Sequence, residues 1–315
     1  MKIYPWDRSK GNEVSLFSNL GLGNDLFLLA AGLFVASKSK ANILLDLSRI
    51  DPKSRQLYTG LKAIKVYVNE KEVAITETQQ TLNRIQMQIL RARVKFLRKL
   101  NHSKLKSRYF RSEVVGYDST LKNVIAPVSL MGYFQSFIYV QELEKLNGEL
   151  SIQISEPTQW YVKKIAEIIS EPATLGIHIR RGDYLEDRHR NTQGALSLQY
   201  YLEASHEIVT RYNLKKIYIF TDDISWVKQN LHLFPQVERE VIDPPKSSDP
   251  AESLILLSKC KFLSISNSTF SWWSAYLSRN NSKVWAPSPW YFGLAEPDQL
   301  LPYEWQKRAS IWETN

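Results

Sequence analysis

Two apolar runs decide the fold class: Leu175-Gly176-Ile177-His178-Ile179 and Lys216-Ile217-Tyr218-Ile219-Phe220. Short, continuous apolar runs of this kind are typical of strands that are buried on both faces of a parallel sheet. The residues between them, 198–212, are predicted to form a helix. A strand, a helix and a second strand in this order predict a βαβ unit, in which the two strands are parallel.

The same alternation continues toward both ends of the chain. After a turn at 21–24, the sequence predicts a buried helix over 26–37 and a strand over 43–47. Further helices are predicted at 158–169, 226–231, 251–260 and 271–278, and further strands at 262–266 and 284–286. Strands that alternate with short helices predict an α/β protein whose C-terminal half is a doubly wound parallel sheet. Such sheets bind ligands outside the carboxyl ends of their strands.

Length and composition narrow the class of protein. The chain has 315 residues, 43% hydrophobic and 23% charged, which excludes wholesale disorder and allows two domains, predicted at 1–156 and 157–315. The single cysteine, Cys260, excludes a disulfide framework and a cysteine-based zinc site, and fits a reducing compartment. The N-terminus lacks the apolar core of a signal peptide, and the longest apolar stretch, 26–36, is shorter than the ~20 residues that span a bilayer. These features predict a cytoplasmic protein.

The positive charge of the chain is concentrated in one segment, the basic window 91–111. Lys and Arg number 41 against 32 Asp and Glu, a net charge of +9, and the basic window alone contains nine basic residues and no acid. The rest of the chain is therefore balanced, which argues against a nucleic-acid-binding protein with a wholly positive surface. Apolar residues three to five apart predict a helix with a basic face over 81–111. Two interpretations are open: this helix rests on anionic lipid, or it is a solvated face or a loop packed on the N-terminal domain.

Polar clusters follow three of the predicted strands. The first is His178-Ile179-Arg180-Arg181-Gly182-Asp183-Tyr184, the second Thr221-Asp222-Asp223, and the third Asn267-Ser268-Thr269. If the three strands are neighbours, the clusters converge on one cleft. Two arginines suit a diphosphate, and a helix that opens with Asn-Ser-Thr presents N–H groups to an anion. The aspartates can accept hydrogen bonds from ribose or base, and the histidine can bond a base or a sugar. Together the clusters predict a site for a nucleotide diphosphate group.

Each cluster also has a purely structural interpretation. The two arginines near Asp183 and Tyr184 can form a surface ion-pair cluster, and the second and third clusters are good helix N-caps. Residues 181–183 also spell the integrin-binding tripeptide, and 267–269 a glycosylation sequon, but neither fits a buried strand in a chain without a signal peptide. The occurrence of all three clusters after successive strands favours a ligand site.

The first cluster fits the His-x-Arg-Arg-x-Asp signature of a known family. In this and four other motifs the chain resembles the α-1,2-fucosyltransferases, the inverting glycosyltransferases of bacterial O-antigen and capsule synthesis and of animal blood-group antigens. The other motifs are residues 20–27, 220–223, 266–277, and 285–290 with 301–305. The resemblance covers both ends and about two-thirds of the chain, and leaves roughly 50–155 unplaced.

The resemblance implies a GT-B-type fold, in which two Rossmann-like domains face each other across a cleft. The C-terminal domain would hold GDP-fucose, the N-terminal domain would help to hold the acceptor, and no metal would be required. Arg180 would bind the β-phosphate, where charge develops as the sugar–phosphate bond breaks, while Arg181 and Asp183 would pair to hold the loop. The other implied donor-site residues are His178 at the base, Asp222 and Asp223 near ribose or base, Asn267, Ser268 and Thr269 at the phosphates, and Gly21, Gly23 and Asn24 in a facing loop.

The chain also departs from the family pattern. Leu20 replaces a glycine, Asp25 replaces a glutamine, and Ser253 stands where many members carry an acid that recognises guanine. Glu252 or Asp249 can substitute for that acid; if neither does, the donor is not GDP-fucose. The general base that inversion requires is also open, with Asp25, Glu186, Asp187 and His189 as candidates by position.

Three hypotheses about function follow. The leading one is transfer of L-fucose from GDP-fucose, with inversion, to the 2-hydroxyl of a galactose-like residue in a lipid-linked oligosaccharide. The enzyme would be cytoplasmic and peripheral on the inner face of the plasma membrane. The second keeps the fold and changes the nucleotide-sugar donor. The third is an inactive glycan- or nucleic-acid-binding protein, motivated by the basic window and the nine tryptophans.

Overall fold

The computed structural model describes residues 12–19, 21–48, 50, 53–54, 59–78, 85–86, 88–89, 92, 109–112, 114–171, 173–278 and 283–313. The helix predicted over 81–111 and most of the basic window lie outside these residues. The chain divides into two compact units. The first comprises Met1–Ile152 with Pro297–Leu300, and the second Gln153–Glu296 with Leu301–Asn315. The boundary predicted from the sequence, between residues 156 and 157, lies a few residues after the observed one. The sequence did not predict that residues 297–300 belong to the first unit.

The first unit is built on a parallel sheet. Its strands are β1 (Glu13–Phe17), β2 (Asn42–Asp46), β3 (Ile64–Val68), β4 (Lys71–Glu72), β5 (Ile75–Glu77), β6 (Tyr109–Arg111), β7 (Val128–Met131) and β8 (Leu150–Ile154), and its helices are α1 (Leu22–Ser39) and α2 (Phe137–Asn147). The main sheet has the order β5-β2-β1-β7-β6, and all its strand pairs are parallel. A smaller sheet has the order β4-β3-β8.

Helix α1 is buried along most of its length. Residues 26–36 are all buried, as predicted from their unbroken apolar character. Gly32 allows the helix to approach the sheet closely, because a Cβ atom there would lie 2.5 Å from a methyl carbon of Leu16 in β1.

The second unit is the predicted doubly wound sheet. Its strands are β9 (Thr174–Ile179), β10 (Lys216–Thr221), β11 (Glu238–Val241), β12 (Phe262–Ser264), β13 (Lys283–Ser288) and β14 (Gln306–Ala309), in the order β11-β10-β9-β12-β13-β14 with every pair parallel. Its helices are α3 (Gln159–Ser170), α4 (Asp187–Arg190), α5 (Leu198–Tyr212), α6 (Ile224–Asn230), α7 (Pro250–Ser258) and α8 (Thr269–Leu277). The α/β class is confirmed, and the elements predicted for this unit end within two residues of the observed ends.

Strand β9 is buried on both faces, as its apolar run predicted. Leu175, Ile177 and Ile179 belong to a core cluster with Tyr200 and Tyr201 of α5. On the opposite face, a Cβ atom at Gly176 would lie 2.8 Å from Leu257 of α7. Helices therefore cover both sides of the strand, which is the reason that it carries no polar alternation.

In the main sheet of the second unit the strand order reverses at one point, which lies between β9 and β12. Chain connections leave in opposite directions at such a point, which opens a crevice outside the carboxyl ends of the two strands where ligands bind. Among the described residues, no helix combines the length and the apolar character needed to cross a membrane.

Candidate functional site

Two of the three polar clusters flank the reversal point of the second unit, and the third follows the adjacent strand. The first cluster follows β9, the Asn-Ser-Thr cluster follows β12, and the aspartate pair follows β10. A hydrogen bond of 2.8 Å between Nδ1 of His178 and Oγ of Ser266 joins the two sides of the reversal point. The sheet therefore brings together the side chains that the sequence pattern grouped.

His178 is an interior histidine. Only 6% of it is exposed, and its ring stacks on Phe270 of α8 at 5.2 Å between centroids. Burial, together with the positive charge of Arg180 as the smaller cause, lowers the pKa of His178 to about 3. The imidazole is therefore uncharged at neutral pH and acts as a hydrogen-bonding group. Its expected contact with a base stays a prediction.

Arg180 is held by two carboxylates at the end of β9. Its Nη2 donates to Oδ1 of Asp183 at 2.7 Å, and its Nη1 lies 3.1 Å from Oδ2 of Asp222. A guanidinium has five N–H donors, so these two contacts leave others for a ligand. The Nε atom is buried and has no hydrogen-bond partner, and a buried unmet donor costs about 1–3 kcal/mol. The side chain as a whole is one-third exposed, so an anionic ligand would meet the remaining Nη donors rather than this buried Nε.

Asp222 shapes the loop that carries Arg180. Its Oδ1 accepts a hydrogen bond of 2.9 Å from the backbone N–H of Arg181, while its Oδ2 pairs with Arg180. Gly182 allows this close approach, because a Cβ atom there would lie 2.5 Å from Oδ2 of Asp222. Both carboxylate oxygens thus have protein partners, and a contact of Asp222 with ribose or base stays a prediction.

Arg181 does not pair with Asp183, which corrects the pairing that the resemblance implied. Asp183 lies in the short 3-10 turn Gly182–Leu185 and bonds Arg180 instead. The buried guanidinium of Arg181 donates to Oε2 of Glu313 at 2.7 Å and lies 3.8 Å above the ring of Trp226. Its Nε is 3.5 Å from Oδ2 of Asp223. These contacts give Arg181 a structural role, as expected, but with different partners.

Sequence reasoning missed Glu313 and Trp226. Glu313 lies 132 positions from Arg181, and its own N–H donates to the carbonyl of Ala195 at 2.9 Å. A contact over this separation leaves no local pattern in the sequence. Trp226 was assigned to a helix, but nothing in the sequence indicated that a guanidinium covers its ring.

The second and third clusters also contain the N-caps that the structural interpretation predicted. Asp223 caps α6 by accepting from the N–H of Trp226 at 3.1 Å, and Ser268 caps α8 by accepting from the N–H of Phe270 at 3.3 Å. Thr269, half-buried, is the first residue of α8. A capped helix still presents backbone N–H groups and a positive end at the reversal point. The cap and a phosphate contact are therefore compatible.

Asn267 is fully buried beside this cap. Its Nδ2 donates to the carbonyls of Gln193 and Gly194 at 3.0 and 2.9 Å, which fixes the chain after α4 against the end of β12. Its Oδ1 is buried without a hydrogen-bond partner. Asn267 is therefore a positioning residue with one acceptor unmet.

The two acids considered as substitutes at Ser253 already have partners. Glu252, which is 1% exposed, accepts from the N–H and hydroxyl of Thr158 at 2.6 and 2.9 Å and from the hydroxyl of Ser248. Asp249 caps α7 through the N–H of Ala251 at 2.8 Å. Because these carboxylates serve the fold, the geometry does not favour either as the group that recognises a base. Ser253 itself is half-buried.

The four candidate bases differ in their surroundings. Asp25 is fully buried in α1 and accepts from the hydroxyl of Ser18 at 2.6 Å and the N–H of Asn19 at 2.8 Å. Glu186, which pairs with Arg188 at 2.8 Å, and Asp187 are exposed. His189 is half-buried, with its Nδ1 3.0 Å from Oε1 of Gln193. The geometry does not favour Asp25, and the other three stay predictions on the loop after β9.

The glycine motif of the first unit lies between β1 and α1. Gly21 is the extended N-cap of α1, with φ −150°, and Gly23 is buried in the first turn. Oδ1 of Asn24 accepts from Nε2 of Gln135 at 3.0 Å. The role of these three residues toward a donor stays a prediction. Within the described residues, no group of three or more His, Cys, Asp or Glu side chains is arranged to hold a metal ion.

A doubly wound parallel unit with an arginine loop and a capped helix at its reversal point defines a nucleotide-binding α/β protein. Over residues 19–301 the chain matches the model of glycosyl transferase family 11, and it belongs to that family. This confirms the resemblance found in the sequence, and the protein is a glycosyltransferase.

Named relatives agree with this assignment. The chain is 27% identical to the O-antigen biosynthesis glycosyltransferase WbnK of Escherichia coli over 87% of this chain and 93% of that protein. It is 25% identical to an alpha-1,2-colitosyltransferase of Escherichia coli over 86% of this chain and 90% of that protein. It is also 26% identical to a galactoside 2-alpha-L-fucosyltransferase of Caenorhabditis elegans, over 55% of this chain and 47% of that protein.

Proposed function

We propose that this glycosyltransferase moves L-fucose from GDP-fucose to the 2-hydroxyl of a galactose-like residue of an oligosaccharide, with inversion. The family and the names of the relatives support the class of donor and linkage. In the proposed reaction the acceptor oxygen attacks the anomeric carbon from the face opposite the diphosphate. The bond from that carbon to the β-phosphate oxygen breaks, the acceptor proton passes to a base, and GDP leaves.

The position of Arg180 carries the proposal. Negative charge develops on the diphosphate as the bond breaks, and a preorganised cation at that oxygen stabilises the transition state more than the ground state. Asp183 and Asp222 fix the guanidinium at the reversal point, and its side chain stays one-third exposed.

A second candidate keeps the reaction and changes the sugar to colitose. One relative is an alpha-1,2-colitosyltransferase, and this observation favours the second candidate. The two candidates predict product from different sugar donors. A donor that carries a nucleotide other than GDP would be revealed by which nucleotide the protein binds.

A nucleotide screen tests the proposal. Thermal unfolding is measured with GDP, UDP, ADP and CMP, and GDP at roughly 100 times its Kd is expected to raise the Tm by about 5 °C. Incubation with fucosyl and colitosyl donors and a panel of β-galactosides, followed by mass analysis, then identifies the sugar transferred. Stabilisation by another nucleotide alone would refute the GDP-linked donor, and product from the colitosyl donor alone would favour the second candidate.

The proposal also includes metal-independent turnover at the inner membrane surface on a lipid-linked acceptor. The basic window supports the contact with lipid, because a segment that carries nine positive charges and no acid suits a peripheral contact with an anionic membrane.

Metal independence is tested by removing metal ions. Full turnover is expected after dialysis against EDTA, and activity restored only by added Mg²⁺ or Mn²⁺ would contradict metal independence.

A further inference from the structure

The segment 311–313 follows β14 and lies outside the residues that match the family model. Its backbone pairs with the residues that precede α5. The N–H of Ser197 donates to the carbonyl of Ile311 at 2.8 Å, and the N–H of Glu313 donates to the carbonyl of Ala195 at 2.9 Å. Main-chain bonds therefore fix this segment within the second unit, and the side chain of Glu313 extends from a held position.

Trp312 adds side-chain packing to the same segment. It forms an antiparallel bridge with Leu196, and its ring meets that of Phe292 edge-on at 5.7 Å between centroids. Its ring also covers Gly194, where a Cβ atom would lie 3.0 Å from a ring carbon. The residue before Glu313 is thus packed as well as paired, which limits the movement of the carboxylate.

Glu313 is the main counter-charge of Arg181. The side chain of Arg181 is only 7% exposed, and its Nη1 donates to Oε2 of Glu313 at 2.7 Å. Among the described residues this is the only hydrogen bond that the guanidinium donates, because its Nε has no hydrogen-bond partner and lies 3.5 Å from Oδ2 of Asp223. Removing one partner of a poorly exposed ion pair leaves a charge that must find another.

A displaced Arg181 would disturb the loop that holds Arg180. Asp223 is its remaining ion-pair partner among the described residues, and Asp223 adjoins Asp222 in the chain. Asp222 accepts the backbone N–H of Arg181 at 2.9 Å with Oδ1 and lies 3.1 Å from Nη1 of Arg180 with Oδ2. A shift of Arg181 is therefore transmitted to Arg180 through Asp222 and through the peptide bond that joins the two arginines.

We propose that Glu313 is a positioning residue for the transfer reaction. By holding the guanidinium of Arg181, it leaves Asp222 to Arg180 and so fixes the cation that faces the diphosphate. The inference rests on the proposed function, because it assumes that Arg180 stabilises the charge that develops on a leaving diphosphate. Glu313 belongs to none of the five sequence motifs, so this role is a property of the chain's own terminal segment.

Steady-state kinetics of Glu313→Ala and Glu313→Gln test the role, with the sugar donor that the donor screen identifies and at a temperature well below the Tm of every variant. Glu313→Ala is expected to lower kcat by about 10–100-fold, because a misplacement of about 1 Å in a reaction partner costs up to about 10²-fold. Glu313→Gln should retain more of the kcat, because its amide oxygen still accepts from Arg181. The KM of the donor should stay within about threefold, because the contact that is weakened strengthens only as charge develops.

Glu203→Ala is the matched control. Glu203 of α5 accepts from Nη2 of Arg308 at 2.9 Å, and the side chain of Arg308 is 19% exposed. The variant thus also removes a carboxylate from a poorly exposed arginine near the end of the chain, but this arginine lies in β14 and not in the loop after β9. It should lower the Tm, as Glu313→Ala does, and keep the wild-type kcat.

A double-mutant cycle tests the route through Arg181. In an Arg181→Met background the guanidinium that Glu313 holds is absent, so adding Glu313→Ala should change kcat by less than about twofold. A further loss as large as in the wild-type background would overturn the route. If Arg181→Met does not fold, the comparison of Glu313→Ala with Glu203→Ala decides alone.

The outcomes separate this inference from the proposed function. Wild-type kcat in Glu313→Ala, beside an active wild type, would overturn the positioning role alone. So would an equal fall of kcat in Glu203→Ala, which would show a general loss of stability, or a raised donor KM with unchanged kcat, which would show a role in binding only. A folded wild type that transfers no sugar from any donor would refute the proposed function, and the positioning role with it.

Discussion

At the scale of single residues, Arg180 has the most specific role. Arg180→Ala is expected to lower kcat by about 10²–10³-fold, the usual effect of removing one preorganised contact to developing charge. Arg180→Lys should lower kcat by a smaller factor, because it keeps the positive charge. It should still lower kcat, because lysine lacks the planar fork that serves two carboxylates and a ligand. The measurement is initial rate of GDP release with acceptor present, together with the Tm of each variant.

The control for this prediction is Arg211→Ala. Arg211 lies on α5, is 56% exposed at its side chain and pairs only with Glu207 among the ion pairs of the described residues. The Arg211→Ala enzyme should have the kcat of the wild type. An Arg180→Ala enzyme that kept wild-type kcat while folded would refute the role at the diphosphate.

His178 links the site to the stability of the protein. Its pKa is about 3 when folded and about 6.5 when unfolded, so between these values the unfolded chain binds more protons. Stability is therefore complete above about pH 6.5 and falls as the pH drops toward 3. Between pH 7 and pH 5 this one residue should lower the free energy of unfolding by about 2 kcal/mol.

Urea denaturation at pH 7 and pH 5 measures this effect. In His178→Asn the free energy of unfolding should fall by about 2 kcal/mol less between pH 7 and pH 5 than it does in the wild type. His206→Asn, which replaces an exposed histidine on α5, should show the pH dependence of the wild type. An unchanged pH dependence in His178→Asn would show that the histidine is not kept neutral by burial.

At the scale of secondary-structure elements, an ion-pair network attaches α3 to the sheet. Glu167 of α3 contacts Lys164 at 2.6 Å and Lys216 of β10 at 3.3 Å, and Lys164 also contacts Glu240 of β11 at 2.6 Å. The side chain of Lys216 is only 9% exposed. The two lysines lower the pKa of Glu167 to about 2, with the hydrogen bond from Lys164 as the main cause.

Glu167→Gln is expected to destabilise the protein by about 1–2 kcal/mol at pH 7, because it leaves a poorly exposed lysine without one of its charged partners. The folded-state pKa is lowered, so the stabilisation is present above about pH 4.5 and is lost as the pH falls toward 2. Denaturation of wild type and variant at pH 7 and pH 3 should therefore give a smaller difference at pH 3. Glu171→Gln, at the exposed C-cap of the same helix, should have no effect at either pH.

Elements with strong local patterns were predictable from the sequence, and those held by distant contacts were not. Strand β9 has a continuous apolar sequence, helix α5 has apolar residues at helical spacing, and both lie where these patterns predicted them. Strand β14 has the sequence Gln-Lys-Arg-Ala, which contains no apolar pattern, because it is the edge of its sheet beside β13. The same reason explains the partners of Arg181, because Glu313 lies 132 positions away in the chain and meets it only in the fold.

At the scale of the whole molecule, the charge of the chain separates into a balanced body and the basic window. The nine basic residues of the window account for the whole excess of 41 over 32. The described cluster around the arginine loop adds no positive charge, because the two arginines, Arg180 and Arg181, are outnumbered by four carboxylates, those of Asp183, Asp222, Asp223 and Glu313. The excess charge therefore lies outside the proposed donor site, and its role is a separate prediction.

Replacing the nine basic residues of the window with glutamine tests this separation. Each Lys or Arg near an anionic surface contributes about 1 kcal/mol of attraction at low salt, so the wild type should sediment with phosphatidylglycerol vesicles, less so as salt rises, and the variant should not. The kcat on a soluble β-galactoside should stay within about twofold, because the diphosphate charges are met by Arg180 in the second unit. Equal sedimentation of both proteins would refute the membrane role, and loss of turnover on the soluble acceptor would instead assign the window to the acceptor site.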